Sequence, residues 1–186
     1  VDEVAEACIS MAKRKQGALI AFERQATLDS YSTNAVKVDG NVHRDLLDSI
    51  FHTGGALHDG AVILREGRVL CAMAILPLSE NDQLARSVGT RHRAALGLTE
   101  ETDAVVVAVS EETGLISVFQ GGTMERRVLR DELGDVLRAR LGGDDLAAPS
   151  RAERRPLLGR LSKLAFGDPG GKLTSLLLAV FIFTLA

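Results

Sequence analysis

AVVVAVS, residues 104–110, is apolar along nearly its whole length, the mark of a strand covered on both faces. A central, fully buried strand needs packed layers above and below it, so this stretch sets the fold class. Downstream, SEETG (110–114) is a turn and LISVFQ (115–120) returns as the next strand. Upstream, ALHDGAVILREGRVLCAMAILPLS (56–79) holds two more strands, Ala61–Leu64 and Arg68–Leu76. They join across the short Glu66-Gly67 turn, and Pro77 ends the second. GALIAFER (17–24) is a further compact β-run that closes in charges.

Helical periodicity fills the intervals. Residues 3–15 (EVAEACISMAKRK) place Val4, Ala7, Cys8 and Met11 on one face, and this helix closes near Gly17. The stripe Val42, Leu46, Leu47 and Ile50 predicts a helix over 42–52. GTRHRAALGL (89–98) reads as a loop entering a helix, with Thr90 placed as its N-cap. MERRVLRDELGDVLRARL (124–141) reads as a closing amphipathic helix that turns Val128, Leu129, Leu133, Val136 and Leu137 inward. Residues 25–41 are polar, with a turn at Asp39-Gly40. Strands and helices interleave, so the expected fold is α/β, a mixed central β-sheet surrounded by helices.

The 186 residues are 46% hydrophobic and 25% charged, which suits one packed domain plus a tail. A net charge of −3 leaves no broad excess of cations, which argues against general nucleic-acid binding. Aromatics at 4%, without Trp, argue against single-strand stacking platforms. Any anion site is therefore local. Cys8 and Cys71 lack disulfide or metal-ligand spacing and read as small buried hydrophobes in a reducing cytoplasm. The opening Val1-Asp2-Glu3 has no signal-peptide pattern, and a first residue other than Met suggests a chain cut from something longer.

Beyond residue 142 the composition changes. The expected division is a folded domain over 1–142, a polar and basic linker over 143–171, and an apolar helix over 172–186. Spanning a bilayer takes roughly 20 apolar residues. The final stretch therefore reads as the first part of a membrane span, with the basic residues before it held on the cytoplasmic side. A buried or interfacial helix is the alternative.

Three segments carry chemistry. In Leu57-His58-Asp59-Gly60-Ala61 an acid stands at the mouth of a strand. His58 and Asp59 have the donor types to ligate a divalent metal, which would acidify a bound hydroxyl, although Asp-Gly is also a common turn. Gly89-Thr90-Arg91-His92-Arg93 opens a helix. Free N–H groups and the positive end of the helix dipole favour an anion there, and arginine forks match phosphate oxygens. Cations at that end oppose the dipole, so their clustering makes sense with an anion bound. Ser110-Glu111-Glu112-Thr113-Gly114 follows the most buried strand, a common binding position in α/β sheets. Ser110 can donate to phosphate and a glutamate can support a metal; a plain charged turn fits the segment equally well. Together these parts suit phosphoryl or nucleotidyl transfer. Neither a phosphate-binding GxxxxGK[ST] loop nor a GxSxG nucleophile elbow occurs.

LHDGAVIL (57–64), GTRHRAALGL (89–98) and VSEETGLISV (109–118) resemble, in order, the signature blocks of the diadenylate cyclase domain family. The resemblance runs from about residue 3 to 141. It implies an enzyme that condenses two ATP into cyclic di-AMP and releases two pyrophosphates, with a divalent metal (Mn²⁺, Mg²⁺ or Co²⁺). It also implies a homodimer whose two domains meet face to face, each presenting one ATP. Asp59 would then help deprotonate the 3′-hydroxyl, with Gly60 and Ala61 letting the backbone approach the nucleotide. Gly89, Thr90, Arg91, His92, Arg93 and Ser110 would hold the phosphates, and Leu76 would line the adenine slot. His58, Asp59 and Glu112 would serve the metal. The catalytic domain would be cytoplasmic and tethered to the membrane. The tail KLTSLLLAVFIF (172–183) resembles the opening membrane segment of YbbR-type proteins, which implies such a protein as a partner or fused domain.

Overall fold

The computed structural model describes residues 1–80 and 89–142. The expected linker and apolar tail lie outside the described residues, and no helix among those residues is long and apolar enough to cross a membrane. In chain order the elements are α1 (Asp2–Lys13), β1 (Ala18–Phe22), α2 (Asp29–Ser32), β2 (Val36–Asn41), α3 (Arg44–Ile50) and β3 (Ala61–Arg65). There follow β4 (Arg68–Ala74), α4 (Thr90–Glu101), β5 (Val105–Val109), β6 (Ile116–Gln120), β7 (Thr123–Arg126) and α5 (Leu133–Leu141).

Among the described residues the strands form one seven-stranded sheet in the order β2-β4-β3-β1-β5-β6-β7. β1 runs parallel to β3, with Ile20 opposite Val62, and every other pairing is antiparallel. The sheet is therefore mixed, as expected, and β5 is buried at all five positions.

Alternation along the inner strands splits the core in two. Ile20, Val62, Val107 and Val118 point to a cluster closed by α1, α3 and α5. Leu19, Ile63, Val106 and Phe119 point to the other face, where Ala95 and Leu98 of α4 cover them. The four side chains Met11, Leu47, Leu133 and Leu137 are fully buried. Burying each of these fully is worth about 1.5–3 kcal/mol.

Several boundaries differ from expectation. α1 ends at Lys13, and its closure falls to Lys15 at φ 52°, while the Gln16 N–H donates to the Met11 carbonyl. The polar stretch 25–41 contains α2 and the edge strand β2, so Asp39-Gly40 lies inside a strand. The 42–52 helix is shorter, with His43 as its N-cap accepting from the Asp45 N–H. β4 stops at Ala74, and the N-cap of α4 is Gly89 rather than Thr90. The helix read over 124–141 is instead β7, a connection through Arg127 at φ 61°, and α5. Val128, Leu133 and Leu137 are buried as expected, but Leu129 is 57% exposed because it falls in that connection.

Candidate active site

Gly60 fixes the first wall of a cleft. Its φ is +88°, and a β-carbon there would stand 2.9 Å from the Met73 carbonyl carbon and 3.0 Å from the Ala74 oxygen. Only glycine allows both the turn and this approach. Opposite it, β4 is bulged: Met73 takes φ 61° and the β3–β4 register slips between Ala61 and Ile63. A bulge of this kind bends the strand and re-aims neighbouring side chains. Asp59 is exposed at the start of β3, its Oδ1 accepting from the Gly60 N–H at 3.1 Å. The His58 Nδ1 lies 2.5 Å from the Gly55 carbonyl oxygen. A carbonyl only accepts, so Nδ1 carries the hydrogen and a neutral ring keeps its Nε2 lone pair for a ligand.

The second wall is the start of α4. Gly89 caps it in an extended conformation, and no acidic residue occupies the first turn. The His92 and Arg93 N–H groups donate to the Gly89 carbonyl, so the helix end points its remaining donors outward. Arg91 Nη1 donates to Glu111 Oε2 at 2.6 Å. The Nε atoms of Arg91 and Arg93 are buried without a partner among the described residues. Arg93 itself reaches back to the Ser79 carbonyl at 3.4 Å.

His92 faces the sheet. Its Nε2 lies 3.3 Å from Ser117 Oγ, and its ring meets Phe119 edge-on at 5.8 Å. Burial holds its pKa below the ordinary value, with Arg126 adding in the same direction. A neutral, inward histidine braces the first turn of α4 and adds no positive charge to an anion site.

The third wall is the turn after β5. The Ser110 carbonyl accepts from the Gly114 N–H at 2.9 Å and its Oγ from the Thr113 N–H at 3.2 Å. Its hydroxyl proton therefore stays available to a ligand. Glu111 and Glu112 stand exposed on the same turn.

These walls enclose about 760 Å³. His58, Asp59, Gly60, Leu76, Gly89, Thr90, Arg91, His92, Ser110 and Glu112 all line the cleft. Ala61 and Arg93 do not: Ala61 is fully buried in β3, and Arg93 lies behind the cleft wall. Leu76 is mostly core, at 6% exposed, whereas its neighbours Ile75 and Leu78 are 77% and 46% exposed at the cleft. Asn34, Met73, Ile75, Leu78 and Glu111 also line it and were not singled out from sequence. Two large apolar residues flanking Leu76-Pro77 beyond a strand end were a usable signal. Asn34 gave none.

Among the described residues, no group of three or more His, Cys, Asp or Glu side chains is gathered closely enough to hold an ion. His58, Asp59 and Glu112 share the cleft, and their imidazole and oxygen donors suit Mn²⁺, Mg²⁺ or Co²⁺ if phosphate oxygens complete the shell.

A family model described as the DisA bacterial checkpoint controller nucleotide-binding domain, abbreviated DAC, matches residues 5–124. The chain belongs to this diadenylate cyclase domain family. A diadenylate cyclase of Listeria monocytogenes is 40% identical over 137 residues, covering 74% of this chain and 50% of the relative. The cyclic di-AMP synthase CdaA of Bacillus subtilis is 38% identical over 139 residues, covering 75% and 51%. The DAC chain thus spans about half the length of these curated relatives. A crystal structure of a DacA double mutant from Staphylococcus aureus superposes with a TM-score of 0.74 at 39% identity, covering 76% of this chain and 95% of the other.

Proposed function

We propose that residues 1–142 are the catalytic domain of a metal-dependent diadenylate cyclase that joins two ATP into cyclic di-AMP. The observation that carries this reading is convergence: three sequence-remote segments, an acid, a phosphate cradle and a second acid, line one cleft. Membership of the DAC family supports it.

In this reading, the exposed Asp59 carboxylate accepts the proton of a ribose 3′-hydroxyl. That oxygen attacks the α-phosphorus of an ATP held by an opposed copy of the domain. The P–O bond to the β-phosphate breaks and pyrophosphate leaves; the reciprocal step closes the ring. The α4 N–H groups, Thr90 and Arg91 hold the triphosphate, and Ser110 donates its hydroxyl proton to a phosphate oxygen. Leu76, with Ile75 and Leu78, offers the apolar surface for adenine. A divalent cation, held by His58, Asp59 and Glu112, would neutralise phosphate charge and acidify the 3′-hydroxyl. Because one cleft holds one nucleotide, a face-to-face homodimer completes the site.

Residues 143–171 act as a linker and 172–186 as the start of a membrane segment, which would tether a cytoplasmic catalytic domain beside a YbbR-like partner or fused domain. A relative from Bacillus cereus described as a hypothetical membrane spanning protein, 38% identical, supports the membrane link.

The test is product analysis of the chain with ATP and Mn²⁺ or Mg²⁺. Cyclic di-AMP with two pyrophosphates is expected, at a rate rising faster than linearly with protein while dimers are dilute. Linear products alone would move the assignment to another nucleotidyltransferase or a phosphohydrolase.

A further inference from the structure

Gly17 stands between α1 and β1 without the usual reason for a glycine. Its φ lies outside the left-handed region, and the helix has already been closed by Lys15 at φ 52°. What lies over it is the Arg91–Glu111 pair: a β-carbon on Gly17 would stand 2.7 Å from Arg91 Nη1, 2.9 Å from Glu111 Oε2 and 3.0 Å from Arg91 Cζ. The guanidinium therefore rests on bare backbone, with Glu111 at its side and only 21% of the Arg91 side chain exposed.

We propose that Gly17 is a positioning residue for nucleotide binding: its missing side chain is the seat that sets where the Arg91 fork meets phosphate. This rests on the reading that Arg91 binds the triphosphate. Arginine recognises phosphate through paired, directional donors, so lifting the fork by the width of a methyl group misaligns it. The atoms a methyl would meet are the far ends of flexible side chains, which yield without disturbing the sheet. Substitution should thus alter recognition and spare the fold.

The experiment measures ATP and adenosine affinity for the native chain, Gly17→Ala, Arg91→Ala and the double variant. Arg91→Ala should weaken ATP about tenfold or more. Gly17→Ala should weaken ATP about fivefold, a part of the same loss, with adenosine affinity and Tm unchanged. In the Arg91→Ala background, Gly17→Ala should cost nothing more, because the two changes remove one interaction. Equal losses for ATP and adenosine, or full additivity in the double variant, would show a general distortion and overturn the seat. Native ATP affinity in Gly17→Ala would also overturn it. If Arg91→Ala leaves ATP affinity intact, the triphosphate reading itself fails, whatever Gly17→Ala does.

Discussion

On one side of the cleft, Gly60 presses its α-carbon against the backbone of Met73 and Ala74, and Asp59 is carried by that contact. On the other side, Arg91 is placed by side chains: Glu111 holds its Nη1, and His92 braces the same turn against Ser117 and Phe119. Backbone cannot yield without moving two strands, whereas side chains can. The acid is therefore built into the sheet, while the phosphate wall is assembled from groups that can adjust to a ligand. Damage to the first wall should appear as lost stability or lost chemistry, and damage to the second as lost affinity.

The sharpest test of that division is Asp59→Asn, which keeps the shape of the backbone-held wall but removes its base. Cyclic di-AMP synthesis should fall about a hundredfold or more, with ATP affinity largely kept. A native rate in this variant would remove Asp59 from the chemistry.

Next in size is Gly60→Ala, which forces a methyl against backbone at φ +88°. About 3 kcal/mol of stability should be lost, read as a lower denaturation midpoint. A midpoint equal to the native one would mean that this wall is as adaptable as the other.

Arg91→Ala should behave in the opposite way. It costs about 2 kcal/mol of ATP binding, as for other charged hydrogen bonds. It leaves the denaturation midpoint nearly unchanged, because partly exposed ion pairs contribute little. A large loss of stability would blur the distinction between the walls.

The smallest effect concerns His92 and pH. Burial depresses its folded pKa below the ordinary 6.5. The unfolded chain therefore binds a proton that the folded ring refuses as pH falls below that value. Its contribution is complete above pH 6.5 and is lost as pH drops through the folded pKa, with a slope of at most about 1.4 kcal/mol per pH unit. His92→Gln should flatten that part of the stability profile between neutral and mildly acidic pH. An identical profile would place His92 in solvent rather than against β6.

What could be read from sequence follows burial. β5, with five buried residues, and the β3–β4 pair announce themselves because both faces of the sheet demand apolar residues there. The strands missed were β2 and β7, the two ends of the sheet. Neither contains a buried residue. β2 passed for a polar connection, and β7 was absorbed into a helical pattern whose apolar residues are real but belong to a loop and α5. The site followed the same rule. Asp59, Thr90, Arg91 and Ser110 stand in local motifs, whereas Glu111, Met73 and the inward turn of His92 depend on contacts between distant segments.

The missed edges have a consequence for self-association. A sheet with free ends can recruit strands from other copies without limit. Here Asp39 kinks β2 at φ 49°, the β2–β4 register slips beside it, and Arg68 ties Asp39 and Asn41 inward. β7 has four residues and is followed at once by the Arg127 kink. Neither end offers a long, straight ladder to a newcomer. An enzyme proposed to work as an opposed pair cannot lose its copies to stacks, and the shape of these two short strands keeps them free to meet at the cleft.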